Sequence, residues 1–244
     1  MSLSILGVIP ARLESTRLSR KVLREIAGRP MICHVYDRAR RAPHLRDVLV
    51  ATDAPEVMDA CRAHNIPAIL TARDHPSGTD RVWEVAQGRA ADVYVNIQGD
   101  LPLITPGHLE RLIAPFLARQ ETQVTTLKIR AEPEDVPNPN AVKVVCDALG
   151  QALYFSRHPI PYDRDGIGVV HYKHIGVYAY RGVALNAFHR LQPSALEVAE
   201  RLEQLRLLEH GIPITVVETD EPTIEVDVEA DLLAVEAYLA AHRP

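Results

Sequence analysis

Cysteine is scarce in this chain, with Cys33, Cys61 and Cys146 the whole complement of 244 residues. An odd number of thiols, far apart and set in apolar segments, excludes a disulfide framework and a structural zinc cluster, so packed, reduced thiols are expected. Long apolar runs are also missing. No stretch is long enough to cross a bilayer and no basic-then-apolar leader opens the chain, which leads to the expectation of a cytoplasmic protein with no membrane partner. Positive charge is not in surplus: 27 Lys and Arg face 32 Asp and Glu, a formal net charge of −5. Such a balance gives nucleic acid no general attraction and makes it an unexpected partner. Internal repeats, low-complexity tracts and flexible linkers are absent as well. What remains is 47% hydrophobic residues in a length suited to one large domain with its own core.

Periodicity gives that domain its class. Strand-like runs at 5–9, 47–51, 68–70 and 93–97 alternate with helical patterns near 30–42, 55–64 and 78–86, and a further helix follows near 106–119. Alternation of this kind predicts an α/β protein, with a mainly parallel, Rossmann-like sheet flanked by helices. The character then changes. Strands at 124–129, 142–146, 152–156 and 174–180, with a turn at Asp147-Ala-Leu-Gly150, predict an antiparallel region. From Pro193 one amphipathic helix is expected, capped by Ser194 and Glu197 and stopped by Gly211. It buries Leu196, Leu202, Leu205 and Leu208 and presents Glu200, Glu203 and Gln204 on another face. A strand at 214–217, a loop with Asp220 and Asp227, and a helix from about Asp231 complete the chain.

Three segments carry chemistry. The first strand empties into a loop with Arg12, Arg17, Arg20 and Lys21, and cations at the carboxyl end of a parallel strand are placed to grip a polyphosphate. The second is Val93-Tyr-Val-Asn-Ile-Gln98-Gly99-Asp100, which brings a carboxylate to the same sheet edge. Asp100 either holds Mg²⁺ against a phosphate or closes a turn, and Asp227 is a candidate second ligand. The third is Asp74-His-Pro-Ser77-Gly78-Thr79-Asp-Arg81 at a helix start, where backbone N–H groups and hydroxyls read a base edge, receive an oxyanion, or simply cap the helix. His171 and His174 are not read as a metal pair. Tyr178 and Tyr180, two apart on a strand, share a face and form one packed layer.

Taken in order, Ile9-Pro-Ala-Arg12, Ser15-Thr-Arg-Leu with Lys21, the Ser77-Gly78 segment and Asn96-Ile-Gln-Gly-Asp100 resemble the 3-deoxy-D-manno-octulosonate (Kdo) cytidylyltransferases. The resemblance continues through Asn138-Pro-Asn-Ala-Val-Lys-Val-Val145, Ala152-Leu-Tyr-Phe-Ser-Arg157, His174-Ile-Gly-Val-Tyr178 and Leu202-Glu-Gln-Leu-Arg206, nearly the whole chain. It implies transfer of CMP from CTP to the anomeric hydroxyl of an ulosonic acid with release of pyrophosphate, supplying a lipopolysaccharide precursor. By the same resemblance, Lys21, Arg12, Asp100 and Asp227 would be catalytic, with Mg²⁺ on Asp100 and Asp227. Ala11, Arg12, Arg17, Lys21, Ser77 and Gly78 would bind the nucleotide, and Gln98, Arg157, His174, Tyr178, Glu203 and Gln204 the sugar. It also implies a single nucleotidyltransferase domain over 1–244, its nucleotide-binding core at about 1–120 and its sugar-binding and dimerisation elements at about 121–244, assembled as a homodimer.

The chain departs from the family pattern in places. Leu18-Ser19-Arg20-Lys21-Val22-Leu23 stands where Leu-Pro-Gly-Lys-Pro-Leu is usual, Leu101 where a glutamate follows the Gly-Asp, and Glu225-Val-Asp-Val228-Glu where the usual segment is Gly-Val-Asp-Thr-Pro. These changes leave open a related acid, such as an amino-substituted Kdo, or a nucleotide-binding homologue with a regulatory role.

Overall fold

A computed structural model of the chain describes residues 3–14 and 18–242. Its internal contacts gather into two compact units, Met1–Glu110 with Thr223–Pro244, and Arg111–Pro222.

The first unit is built on strand β1 (Ile5–Ala11), all seven of whose residues are buried. A 3-10 turn at Lys21–Leu23 and two short strands, β2 (Glu25–Ile26) and β3 (Arg29–Pro30), lead to helix α1 (Met31–Ala39). Then come β4 (Asp47–Thr52), α2 (Pro55–Ala63), β5 (Ala68–Leu70), α3 (Gly78–Gly88) and β6 (Val93–Asn96). The large strands pair in parallel in the order β6-β1-β4-β5. Parallel strands covered on both faces need apolar residues at every position, which is why β1, β4 and β6 read as continuous runs rather than alternating ones. Pro55, with its φ already helical, opens α2. The hydroxyl of Ser77 accepts from Asp80 N–H and fixes the start of α3.

Helix α4 (Pro106–Ala118) spans the division between the units. The second unit contains β7 (Val124–Arg130), β8 (Lys143–Cys146), β9 (Ala152–Ser156), β10 (Tyr172–Arg181), α5 (Gly182–Arg190), α6 (Ala195–Glu200), α7 (Gln204–Glu209) and β11 (Ile214–Glu218). Here β10 pairs antiparallel with β7 and β8, β8 pairs antiparallel with β9, and β11 runs parallel to β7. The chain then returns to the first unit, where α8 (Glu229–Ala241) packs Leu232 and Val235 with Val226 onto Leu18, Ile26, Met31 and Leu103.

One helix was unread and one local expectation fails. Helix α5 lies in a stretch with no helical reading, and the single helix expected from Pro193 is two. The break falls at Arg201, whose φ of 53° is left-handed. Its cause is Arg157: Nε donates to the carbonyl of Glu200 at 2.7 Å and Nη2 to that of Arg201 at 3.3 Å, taking acceptors that a continuing helix would need. The restart changes the buried set as well, so that Leu207 is buried and Leu196 is exposed. The capping box of Ser194 and Glu197 forms as expected, and Gly211 takes a φ of 70° just beyond α7. All three cysteines are free, Cys33 and Cys61 buried and Cys146 half-buried. Burial, reinforced by Cys33, pushes the Cys61 thiol up to about 12, so it is inert at neutral pH.

Candidate active site

The carboxyl end of β1 is where the first unit assembles its polar groups. Residues Pro10 and Ala11 end the strand, and two glycines let other segments reach them. A Cβ on Gly99 would lie 3.0 Å from the carbonyl oxygen of Pro10, and one on Gly78 3.3 Å from its Cγ. Only residues without side chains let the Gln98-Gly-Asp100 loop and the start of α3 close on the strand end this tightly. Gln98 faces the same spot, its Oε1 3.9 Å from the Gly78 position.

Lys21 joins the two expected carboxylates. Its Nζ donates to Asp100 Oδ2 at 2.6 Å and to Asp227 Oδ1 at 3.2 Å, with the three side chains 13%, 18% and 24% exposed. The backbone knits the same segments, since Val226 N–H donates to the carbonyl of Asp100 at 2.9 Å. Asp231 Oδ2 accepts from the N–H groups of Asp227 and Val228, fixing the turn into α8. Burial alone would lower the pKa of Lys21. The charge and hydrogen bond of Asp100, followed by those of Asp227, outweigh it and hold the ammonium above the ordinary lysine range.

A third carboxylate, Glu225, belongs to this cluster: one oxygen each from Asp100, Glu225 and Asp227 lie within 4.8 Å of one another. Val226 between them is fully buried, so its neighbours on either side turn outward together. Oxygen donors alone suit a hard divalent cation. Asp100 Oδ1 is buried and has no hydrogen-bond partner, which leaves a lone pair for such an ion.

Arg12 follows the strand and its Nη2 is buried with no hydrogen-bond partner. Beside it, Arg81 is fully buried, its Nη1 donating to Thr71 Oγ1 and to the carbonyl of Ala72 at 3.2 Å and its Nη2 ion-paired with Asp53 at 3.4 Å. Burial lowers the pKa of Arg81, and the positive charge of Arg12 contributes, a field that an arriving anion would relieve. Ser77, besides accepting from Asp80 N–H, donates to Asp80 Oδ2 at 2.7 Å. Arg17 lies outside the described residues.

The second unit holds the other expected residues. His174, on β10, has its imidazole enclosed by Phe155, with ring centroids 5.0 Å apart, and by Tyr178 at 5.4 Å, and its Nε2 meets Thr126 Oγ1 at 2.9 Å. Burial pushes its pKa down to about 3, so it is neutral. Tyr178 stacks on Tyr180 at 5.8 Å, and burial, then Tyr180 and Glu203, hold its phenol well above the ordinary range. Glu203 precedes α7 and is half-buried, while Gln204 is 4% exposed with Nε2 lacking a partner. Gln204 is therefore an inward-facing amide rather than a solvated one.

Arg157 is more committed than its sequence context suggested. Besides the two carbonyls that break the helix, Nη1 donates to the carbonyl of Pro139 at 2.9 Å. Three of its five N–H donors are thus engaged. Two residues without an expected role brace it. The fully buried Lys143 donates to the carbonyl of Arg157 at 2.8 Å, and Glu200 accepts from Arg157 N–H at 2.9 Å and from Ser156 Oγ at 2.7 Å. The Lys in Asn-Ala-Val-Lys-Val-Val was the available signal, because a lysine inside an apolar strand must find acceptors.

A parallel α/β sheet with cations and a carboxylate cluster at its strand ends suits a nucleotidyltransferase, the class that comparison with known proteins shows. The cytidylyltransferase family model matches residues 6–221, and the chain belongs to that family. It is similar to the 3-deoxy-manno-octulosonate cytidylyltransferase of Acidobacterium capsulatum, 59% identical over 239 residues that cover 98% of this chain and 97% of the relative. It is 58% identical to the enzyme of that name from Koribacter versatilis over 236 residues, 96% of this chain and 89% of the relative. The solved structure of CMP:2-keto-3-deoxy-manno-octonic acid synthetase complexed with CTP superposes with a TM-score of 0.94 at 43% identity, covering 98% of this chain and 99% of the other.

Proposed function

We propose that this enzyme transfers CMP from CTP to the anomeric hydroxyl of 3-deoxy-D-manno-octulosonate, releasing pyrophosphate. The observation that carries the reading is the meeting of Lys21, Asp100 and Asp227 at the parallel strand ends, in a chain whose relatives of that name match over nearly their full length. Arg12, with an unpartnered buried nitrogen, and Lys21 bind the triphosphate and steady the leaving pyrophosphate. Asp100 and Asp227 hold Mg²⁺, with Glu225 beside them, and the ion when bound neutralises phosphate charge. Ala11, Ser77 and Gly78 take the nucleotide at the end of β1, where Gly78 permits close approach. In the second unit the two N–H donors left on Arg157 suit a carboxylate, with His174, Tyr178, Glu203 and Gln204 as further sugar contacts; Gln98 stands beside Gly78 in the first unit. A neutral His174 serves as a hydrogen-bonding group there and not as a cation.

The reading includes a homodimer built through the antiparallel region, supported by exposed Leu149, Leu153, Tyr162 and Ile167 in the second unit. It also includes a cytoplasmic site of action, consistent with no described helix being long and apolar enough to cross a membrane. Pyrophosphate release measured with CTP, ATP and GTP against Kdo, an amino-substituted Kdo and a nine-carbon ulosonic acid tests the function. The expected result is Mg²⁺-dependent turnover with CTP and Kdo, and product from a purine triphosphate with none from CTP would overturn it.

A further inference from the structure

We infer that Lys21 is the resident cation of the carboxylate cluster, and that the cluster takes up its divalent metal only when the CTP triphosphate draws Lys21 away. This rests on the proposed cytidylyltransferase reading and adds a coupling between its two ligands. The Lys21 ammonium contacts Asp100 and Asp227 at once, at 2.6 and 3.2 Å, and so occupies the electrostatic position a metal would need. The two carboxylate segments are joined through Val226 N–H and the Asp100 carbonyl, so the pair exists without a metal to assemble it. Among the described residues, Lys21 is a cation that contacts both members of the pair.

The turn that carries Lys21 is anchored through its backbone and apolar neighbours, while its side chain is held by the two carboxylates, contacts for which a new anion can compete. Val22 is 5% exposed and Leu18 8%, and the N–H groups of Leu23 and Arg24 bond back to Arg20 and Lys21. A four-carbon stem on a fixed backbone changes partner by rotamer alone. Arg12 has a donor to spare for an anion at the end of β1, because its buried Nη2 lacks an acceptor. A triphosphate seated there presents Lys21 with more negative charge than two carboxylates do, and releases Asp100, Asp227 and Glu225 to the metal. By linkage, the factor by which nucleotide raises metal affinity equals the factor by which metal raises nucleotide affinity.

The test is Mn²⁺ binding to the full chain, followed by the electron paramagnetic resonance of the free ion, with a CTP-only control and no sugar acid present. Wild-type protein alone is expected to bind Mn²⁺ at least about tenfold more weakly than Lys21→Met alone, a gap of about 1.4 kcal/mol. Adding CTP to wild type should close that gap beyond what CTP in solution accounts for. The tight binding to Lys21→Met should vanish in Lys21→Met with Asp100→Asn. Wild type alone binding Mn²⁺ as tightly as Lys21→Met, or more tightly, overturns the inference but leaves the metal site intact. Absence of protein-bound Mn²⁺ in both proteins, with and without CTP, overturns the metal assignment itself. The comparison of wild type with and without CTP needs no variant to fold.

Discussion

Asp100 turns its carboxylate to Lys21, while the next residue, Leu101, is 2% exposed. That contrast separates two substitutions at adjacent positions. Asp100→Asn and Asp227→Asn should each lower turnover at least roughly 100-fold with the fold retained, because both side chains are partly solvated and removal of a ligand charge acts on the reaction. Steady-state pyrophosphate release beside circular dichroism checks this, and near-normal turnover at saturating Mg²⁺ would refute it. Leu101→Glu restores the commoner family residue, yet it places a carboxylate in an apolar setting. The expected cost is about 3 kcal/mol, or a fall in Tm of roughly 6–12 °C, visible in a thermal melt before any effect on sugar choice. Lys21 and Asp100 were legible as charges following apolar strands, whereas Asp227 was only a candidate until the family resemblance paired it with Asp100. Glu225 was not legible: its two-residue spacing from Asp227 gains meaning only once Val226 is seen to be buried between them.

At the scale of elements, the parallel core was read nearly to its boundaries, since a run buried on both faces announces itself. The stretch from α5 to α7 was not. Helix α5 opens with Gly182 and Val183 directly from a strand, without a capping side chain, so nothing local marks its start. The split into α6 and α7 is imposed from outside the segment by Arg157, whose bonds to the Glu200 and Arg201 carbonyls no periodicity reveals. Under the proposed function Arg157 would thus serve both the fold and the sugar acid. Arg157→Ala should raise the Michaelis constant for the sugar acid about tenfold, more than that for CTP, and lower stability by about 1–2 kcal/mol as three carbonyls lose a donor. Arg157→Lys should rescue neither fully, because an ammonium cannot reproduce the planar fork. A selective rise in the CTP constant would place Arg157 at the other substrate.

For the molecule as a whole, His174 sets a pH dependence whose sign is fixed. Its folded pKa of about 3 lies below the 6.5 of the unfolded chain. Between those values the unfolded state binds a proton that the folded state refuses. The stability contribution is therefore complete above pH 6.5 and declines as pH falls toward 3. At pH 5 the loss from this group is about 2 kcal/mol, at about 1.4 kcal/mol per pH unit. Urea unfolding at pH 7 and pH 5 should show it, and the difference should shrink in His174→Asn. An undiminished difference in that variant would assign the effect to other groups.

Lys21 and Asp227 are 206 positions apart, and Asp227 arrives with the segment whose Val226, Leu232 and Val235 cover Leu18, Ile26 and Met31. On a ribosome adding about 5–20 residues each second, Lys21 emerges roughly 10–40 s before its second carboxylate exists. A nascent or prematurely terminated chain thus has Lys21 but only half of its acid pair. The cluster of Lys21 with both carboxylates is withheld until Asp227 has been made.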